Sequence, residues 1–201
     1  MSQDSPDKTR ARILEAARQA FAEFGHAGAR VDKIASAAGC NKQLIYHYFG
    51  SKEGLREAVF RERLVEKGAR ITEIPQDLSG MLEHLFTGMR DDEEWIRMML
   101  WERLSGQGCS GMAERRAHFE HFESRMGFVE DPALRPFVAV AMLGMAFFPT
   151  VMTQVPGLVV GTGSDEEFAR RYREALRWIA ARIAGSGGPG DANRGASAAG
   201  G

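Results

Sequence analysis

Residues 31–55 read VDKIASAAGCNKQLIYHYFGSKEGL, and the punctuation of this stretch decides the fold. Apolar residues recur at helical spacing on both sides of Ala38-Gly39-Cys40-Asn41, which places a tight turn, with glycine at the reversal, between two short helices. The first runs from about Val31 to Ala38. The second starts at Asn41, a good N-cap, and carries Leu44, Ile45, Tyr48 and Phe49 before Gly50-Ser51 breaks it. Two short helices joined this way form the pattern of a helix-turn-helix, whose second helix lies in a major groove. Lys42, Gln43, Tyr46 and His47 take one side of that second helix, Ile45 and Phe49 the other. Lysine matches O6 and N7 of guanine, and glutamine matches N6 and N7 of adenine. Tyr46, His47 and Lys52 are donors of the kind that grip phosphates and fix register. Spacing alone leaves a second reading open, a solvated helix face that happens to be polar.

Outward from this stretch the periodicity stays helical, with no convincing alternating strand. Upstream, Ser5-Pro6-Asp7 offers a capping hydroxyl and then proline at the first helical position. Ile13, Ala17, Ala20, Phe21 and Phe24 form the apolar face of that helix, and Gly25 stops it. Downstream, Ser51 caps a helix to about Lys67 with Leu55, Val59 and Leu64 facing inward, and Gly68 and Pro75 bracket a joint. Longer helices follow over roughly Asp77 to Met89 and Asp92 to Leu104, the latter with four acids near its start to suit the helix dipole. Residues 106–111 are a loop, and the next helix has Phe119, Phe122 and Met126 on one face. Asp131-Pro132 starts a long apolar helix that Pro149 must kink or end. Ser164 and Glu167 make a capping box for the last helix, which is striped with Phe168, Tyr172, Leu176, Ile179 and Ile183. The expectation is an all-α protein of about nine helices, three short ones leading into about six longer ones.

The composition, 44% hydrophobic and 26% charged over 201 residues, is that of an ordinary soluble protein. The opening MSQDSPDKTR has no apolar core to serve as a signal peptide. The apolar run after Pro136 is interrupted from Pro149 onward, short of the roughly 20 residues a membrane span needs, so it reads as a buried helix. Two cysteines, Cys40 and Cys109, are too few for a disulfide framework and fit a reducing cytoplasm. A cytoplasmic protein with no membrane partner is expected. The net charge of −1 hides an asymmetry: residues 1–70 hold thirteen Lys and Arg against nine Asp and Glu, and residues 71–201 hold thirteen against eighteen. A basic front on an acidic body suggests that a polyanion, if bound, is bound at the front.

At these residues the chain resembles the TetR family. The resemblance runs through Thr9-Arg-Ala-Arg-Ile-Leu-Glu-Ala-Ala, Phe21 with Gly25, Ile34-Ala35, Ala38-Gly39, and the run from Ile45 to Leu55, about the first quarter of the chain. It implies a helix-turn-helix DNA-binding domain over residues 1–52 and a helical ligand-binding and dimerisation domain over residues 53–184. It further implies a homodimer joined through the last two long helices, a double-stranded DNA operator, and release of DNA when a small molecule binds. The Gly- and Ala-rich residues 185–201 are expected to be a disordered tail. The family's phosphate-gripping tyrosine and lysine map onto Tyr46 and Lys52. Two positions depart from the family pattern. Where a Thr or Ser usually caps the second helix, this chain reads Ala29-Arg30-Val31, leaving Arg30 as the candidate phosphate contact. Gln43 and Leu44 stand where small residues are common, and Leu44 has two readings, a thymine-methyl contact or inward packing, with packing favoured. The expected DNA-contacting set is Arg30, Asn41, Lys42, Gln43, Leu44, Tyr46, His47 and Lys52.

Beyond the head, Trp95, Met98, Met99, Phe119, Phe122, Met126, Met142 and Met145 make a soft, aromatic interior that plain core packing largely explains. Met adapts to irregular shapes and aromatic walls suit flat apolar ligands, so with the resemblance these eight are the expected lining of an effector pocket. Two other regulatory chemistries stay open: Glu114, His118 and His121 have metal-compatible spacing without a fourth ligand, and Cys40 or Cys109 is a candidate redox thiol. No metal or cofactor is expected. An all-helical enzyme would need a convergent set of titratable groups, and the sequence offers no nucleophile-and-base pair, phosphate-binding glycine loop or convincing metal cluster. A DNA-coating protein would need a broadly basic surface, which the acidic body argues against.

Overall fold

The computed structural model describes residues 5–71, 73–106, 108–161 and 163–185; the tail expected to be disordered lies, from residue 186, outside the described residues. Among the described residues are ten α-helices, one 3-10 turn and no strand: α1 (Pro6–Gly28), α2 (Val31–Ala37), α3 (Lys42–Phe49), α4 (Lys52–Ile71), α5 (Leu78–Arg90), α6 (Glu93–Leu104), α7 (Met112–Ser124), the 3-10 turn Pro132–Leu134, α8 (Arg135–Val151), α9 (Gln154–Val160) and α10 (Asp165–Gly185). The chain divides into two compact units, one from residues 1–74 and 89–124, the other from residues 75–88 and 125–201. This cut follows packing and differs from the functional division at residues 52 and 53 expected from sequence.

In the first unit the helix ends are set locally. Ser5 accepts from the Lys8 amide at 3.4 Å, Asn41 from Leu44 at 2.8 Å and Ser51 from Gly54 at 3.0 Å, each satisfying an orphan amide of a helix start. The core joins Ile13, Leu14, Ala17 and Phe21 of α1, Ile34 of α2 and Ile45 of α3 to Leu55, Val59, Phe60 and Leu64 of α4, and to Trp95 and Met98 of α6. Burying each larger apolar side chain contributes roughly 1.5–3 kcal/mol. Phe24, expected on the apolar face of α1, is 52% exposed, because Gly25 turns the backbone out of helical geometry (φ 65°, ψ 178°) and the last turn continues at a kink. Gly25 is also a close approach: a Cβ there would stand 2.7 Å from Cδ2 of Trp101 in α6. The joint expected between Gly68 and Pro75 is shorter at its start, since α4 runs through Gly68 to Ile71 before α5 begins at Leu78. The missing side chain of Gly68 lets His118 of α7 pack there, where a Cβ would lie 2.7 Å from its Nε2.

Ion pairs strap α6 to its neighbours. At its start, Asp92 caps the helix by accepting from the Trp95 amide at 3.1 Å, and takes Arg63 at 2.6 Å and Lys67 at 2.7 Å from α4. Glu94 pairs with Arg18 of α1. Burial pushes the Asp92 pKa up, but Lys67, Arg63 and the Trp95 amide outweigh it, and the net shift is downward. The folded state therefore holds this proton less tightly than the unfolded state. The stabilisation is fully present above the unfolded carboxylate value and lost as pH falls from about 4 through the lower folded value. Urea unfolding followed against pH is expected to show this acid loss, and Asp92→Asn to flatten part of it. An identical acid slope in the variant would remove Asp92 from the account.

In the second unit, Phe86 of α5 and Phe168 of α10 both pack on Tyr172, with ring centroids at 4.9 and 5.5 Å, and Arg177 of α10 pairs with Glu83 of α5 at 2.6 Å. Pro149 lies inside α8, which ends two residues later. The carbonyl four residues before a helical proline loses its amide donor. Here that carbonyl belongs to Met145, and the Tyr172 hydroxyl donates to it at 2.8 Å. The capping bond of the last helix forms, Glu167 amide to Ser164 Oγ at 3.2 Å.

Three sequence expectations need correction here. Residues Pro132–Val151 are long and apolar enough to cross a membrane, yet the segment is not the buried helix expected, since only 22% of it is buried. Phe137, Val140 and Phe148 stand exposed along α8. Ile183 of α10 is 56% exposed, so the stripe on that helix packs through Ile179 and not at Ile183. The helix α9 was not expected, because Pro156 reads as a breaker; it falls in the first turn, where no amide is needed.

Candidate nucleic-acid interface

The turn between α2 and α3 is closed by backbone bonds. The amides of Ala38 and Cys40 donate to the carbonyls of Ile34 and Ala35 at 2.9 Å each, and Gly39 takes φ 64°. From Asn41, α3 projects with Ile45 fully buried beneath it. Lys42, Gln43, Tyr46 and His47 are exposed, as is Asn41, so the polar row read from sequence is brought together on one open face. Leu44 is half-buried. The Lys42 ammonium rests 5.6 Å from the centre of the Tyr46 ring, a cation–π contact that orders both side chains on that face.

The flanks hold the remaining candidates. Arg30 stands at the N-cap position of α2 with no side-chain capping bond, its guanidinium 2.9 Å from Asp32. Lys52, at the first position of α4, donates to the Ala27 carbonyl at 3.4 Å. Behind it, His26 sits 3.4 Å from Glu53. Burial, and then Lys52, lower the His26 pKa, with Glu53 opposing. Burial thus favours the neutral form of His26.

Two contacts escaped the sequence reading. Arg12 of α1 donates from Nε to the Ala38 carbonyl at 3.1 Å. Tyr48 of α3 donates its hydroxyl to the Pro6 carbonyl at 3.3 Å. Their partners lie 26 and 42 residues away, so no local pattern announces them.

The other candidates are scattered. Trp95, Met98 and Phe122 are buried in the first unit, where Trp95 and Met98 complete the core under the head and Met99 packs against it. Phe119 is 45% exposed, because it lies off the face of α7 that carries Phe122. Met126 and Met142 are buried and Met145 half-buried in the second unit. Of the metal-spaced trio, Glu114 is engaged by Arg61 at 3.0 Å, and His118 packs against α4. Burial pushes the Cys40 thiol pKa up, which disfavours the reactive thiolate. Cys109 is exposed.

Comparison with known proteins agrees with this geometry. Residues 13–59 match the family model described as bacterial regulatory proteins, tetR family. The HTH-type transcriptional repressor SCO4008 of Streptomyces coelicolor is 31% identical over 192 residues, which cover 91% of this chain and 98% of that protein. The solved structure of the putative transcriptional regulator SCO4942 from the same organism superposes with a TM-score of 0.66 at 28% identity, over 85% of this chain and 97% of that one. The regulator FadR from Bacillus subtilis, solved in complex with stearoyl-CoA, shares the fold with a TM-score of 0.59 at 18% identity, over 85% and 97% of the two chains. Such relatives are transcriptional regulators rather than enzymes. With its reading helix exposed on a closed helix-turn-helix and a repressor matching it almost end to end, the chain belongs to the tetR family of bacterial regulatory proteins and is a DNA-binding transcriptional regulator.

Proposed function

We propose that the chain acts as a cytoplasmic homodimeric repressor that leaves a near-palindromic operator when a small, mostly apolar molecule binds. The observation that carries the reading is the exposed row Lys42, Gln43, Tyr46 and His47 on a recognition helix anchored by buried Ile45. In this reading Lys42 and Gln43 meet base edges, while Tyr46, His47, Lys52, Arg30 and Asn41 hold phosphates; Leu44, half-buried, packs. Residues 1–52 read DNA, and the chain from residue 53 dimerises and takes the effector.

The apolar stripe of Phe137, Val140 and Phe148 on α8, with exposed Trp178 and Ile183 on α10, supports a dimer that covers these helices with a second copy rather than with lipid. Two recognition helices then enter successive major grooves, with half-sites roughly 34 Å apart or a multiple of that. An effector taken up by the chain beyond residue 53 acts by favouring a state in which α4 has moved, and it does so only through a difference in affinity between the two states. The stearoyl-CoA bound by the Bacillus subtilis FadR is a precedent for a long apolar ligand in this fold.

Selection of bound fragments from the source genome, at physiological salt with excess competitor DNA, tests the reading. One near-palindromic site is expected. Random fragments alone would overturn it. On the recovered site, Lys52→Ala and Tyr46→Phe should weaken binding to every sequence alike, and Lys52→Ala should shallow the salt dependence by about one ion. Gln43→Ala should instead relax preference at one base position. Normal binding by Lys52→Ala at physiological salt would remove that residue from the interface.

A further inference from the structure

We propose that Arg12 is a positioning residue for operator recognition: its guanidinium holds the turn from which the recognition helix springs. The inference rests on the DNA-binding reading above and deepens it. A helix ends with carbonyls that no amide of its own reaches, and cations near that end are favoured by the helix dipole. At the end of α2 the Ala38 carbonyl is in this position, and Arg12 Nε donates to it at 3.1 Å from α1. The bond fixes the first residue of the four-residue turn Ala38-Gly39-Cys40-Asn41, whose last residue caps α3.

A second bond works at the other end of the same helix. Tyr48 Oη donates to the Pro6 carbonyl at 3.3 Å, tying the far half of α3 to the first turn of α1. The recognition helix is thus pinned at its entry and near its exit to one rigid helix, while Lys42, Gln43, Tyr46 and His47 between the pins stay exposed. A base-reading side chain loses its hydrogen bonds when its helix rotates by more than roughly 10–20°, whereas a phosphate contact tolerates more. Loss of the pin therefore costs discrimination before it costs electrostatic attraction.

The test compares the full-length protein with Arg12→Met and Arg12→Lys. Each binds two duplexes, the site recovered by the genomic selection and a random duplex of equal length, over a range of salt. Amide exchange at Gly39 and Cys40 is measured on the same proteins without DNA. Arg12→Met should bind the recovered site about tenfold more weakly and the random duplex within about twofold of the parent, with an unchanged salt slope. Exchange at the turn should quicken in Arg12→Met while α6 stays protected. Arg12→Lys, which keeps a cationic donor, should restore much of the discrimination. Equal loss on both duplexes with a slope shallower by about one ion would make Arg12 a phosphate contact and overturn the proposal. Equal loss at an unchanged slope, traced by stoichiometric titration to a smaller active fraction, would overturn it as a stability effect. If the parent protein recovers no site, the DNA reading fails on its own terms, and turn exchange indifferent to Arg12→Met still overturns the pin.

Discussion

Replacing Glu102 with alanine is expected to destabilise the unit carrying the reading head by about 3–5 kcal/mol, the usual cost of removing one partner from a buried ion cluster. The Glu102 side chain is only 5% exposed. It accepts from Arg56 of α4 at 3.2 Å, from Arg115 of α7 at 2.9 Å, and from the Ser110 amide at 2.7 Å. Alanine takes this carboxylate from two arginines and a buried amide, while Arg115 keeps its bond to the Ser110 carbonyl at 2.8 Å. Arg115 is poorly placed to escape to water, because its guanidinium lies 5.4 Å from the ring centres of both Phe60 and Trp95. Urea denaturation of the variant measures the loss. Glu102→Gln keeps an acceptor for the Ser110 amide and should lose less. A loss below about 1 kcal/mol for the alanine variant, the range of an exposed pair, would mean that solvent compensates both cations.

The second large effect is expected at Gly25. Its φ of 65° with ψ of 178° belongs to a region open essentially to glycine, and forcing a side chain into it costs on the order of 1–3 kcal/mol. A clash adds to this, since the new Cβ would stand 2.7 Å from Cδ2 of Trp101. Gly25→Ala should therefore lose roughly 2–4 kcal/mol in total. The parts separate in a double variant: Trp101→Ala relieves the clash and leaves the backbone cost. If the double variant shows no residual penalty from Gly25→Ala, strain at this residue plays no part. Trp101 also reports on the event, because a displaced indole at 41% exposure changes its fluorescence.

The head was legible because its determinants are local. Ser5, Asn41 and Ser51 cap the helices that follow within three residues, and the glycine reversal at Gly39 sits between two apolar helical runs. The exposed row on α3 follows directly once Ile45 is placed inside. What escaped depends on residues far apart in sequence. Phe24 and Ile183 continue apolar stripes, yet both stand more than half exposed. Phe119 shares a helix with Phe122 but not its buried side. Pro149 reads as a helix breaker until Tyr172, 23 residues on, supplies the donor that Pro149 takes from the Met145 carbonyl. Arg12 and Tyr48 look like ordinary helix-surface residues until the fold brings the carbonyls of Ala38 and Pro6 to them. The eight pocket candidates share one chemistry in sequence, yet they fall in two packing units.

The core beneath the recognition helix has a bearing on protein engineering. Ile13, Leu14 and Ile45 are sealed from below by Leu55, Val59, Phe60, Trp95 and Met98, all of which come after residue 52. A DNA-reading cassette cut at the end of the helix-turn-helix would carry an uncovered apolar floor and would aggregate or melt when grafted onto a foreign regulator. A chimera that changes operator choice while keeping a foreign sensor therefore cannot cross over at residue 52 without losing the floor that α4 and α6 supply. Instead, only the exposed row of α3 should be exchanged, four side chains on a scaffold left intact.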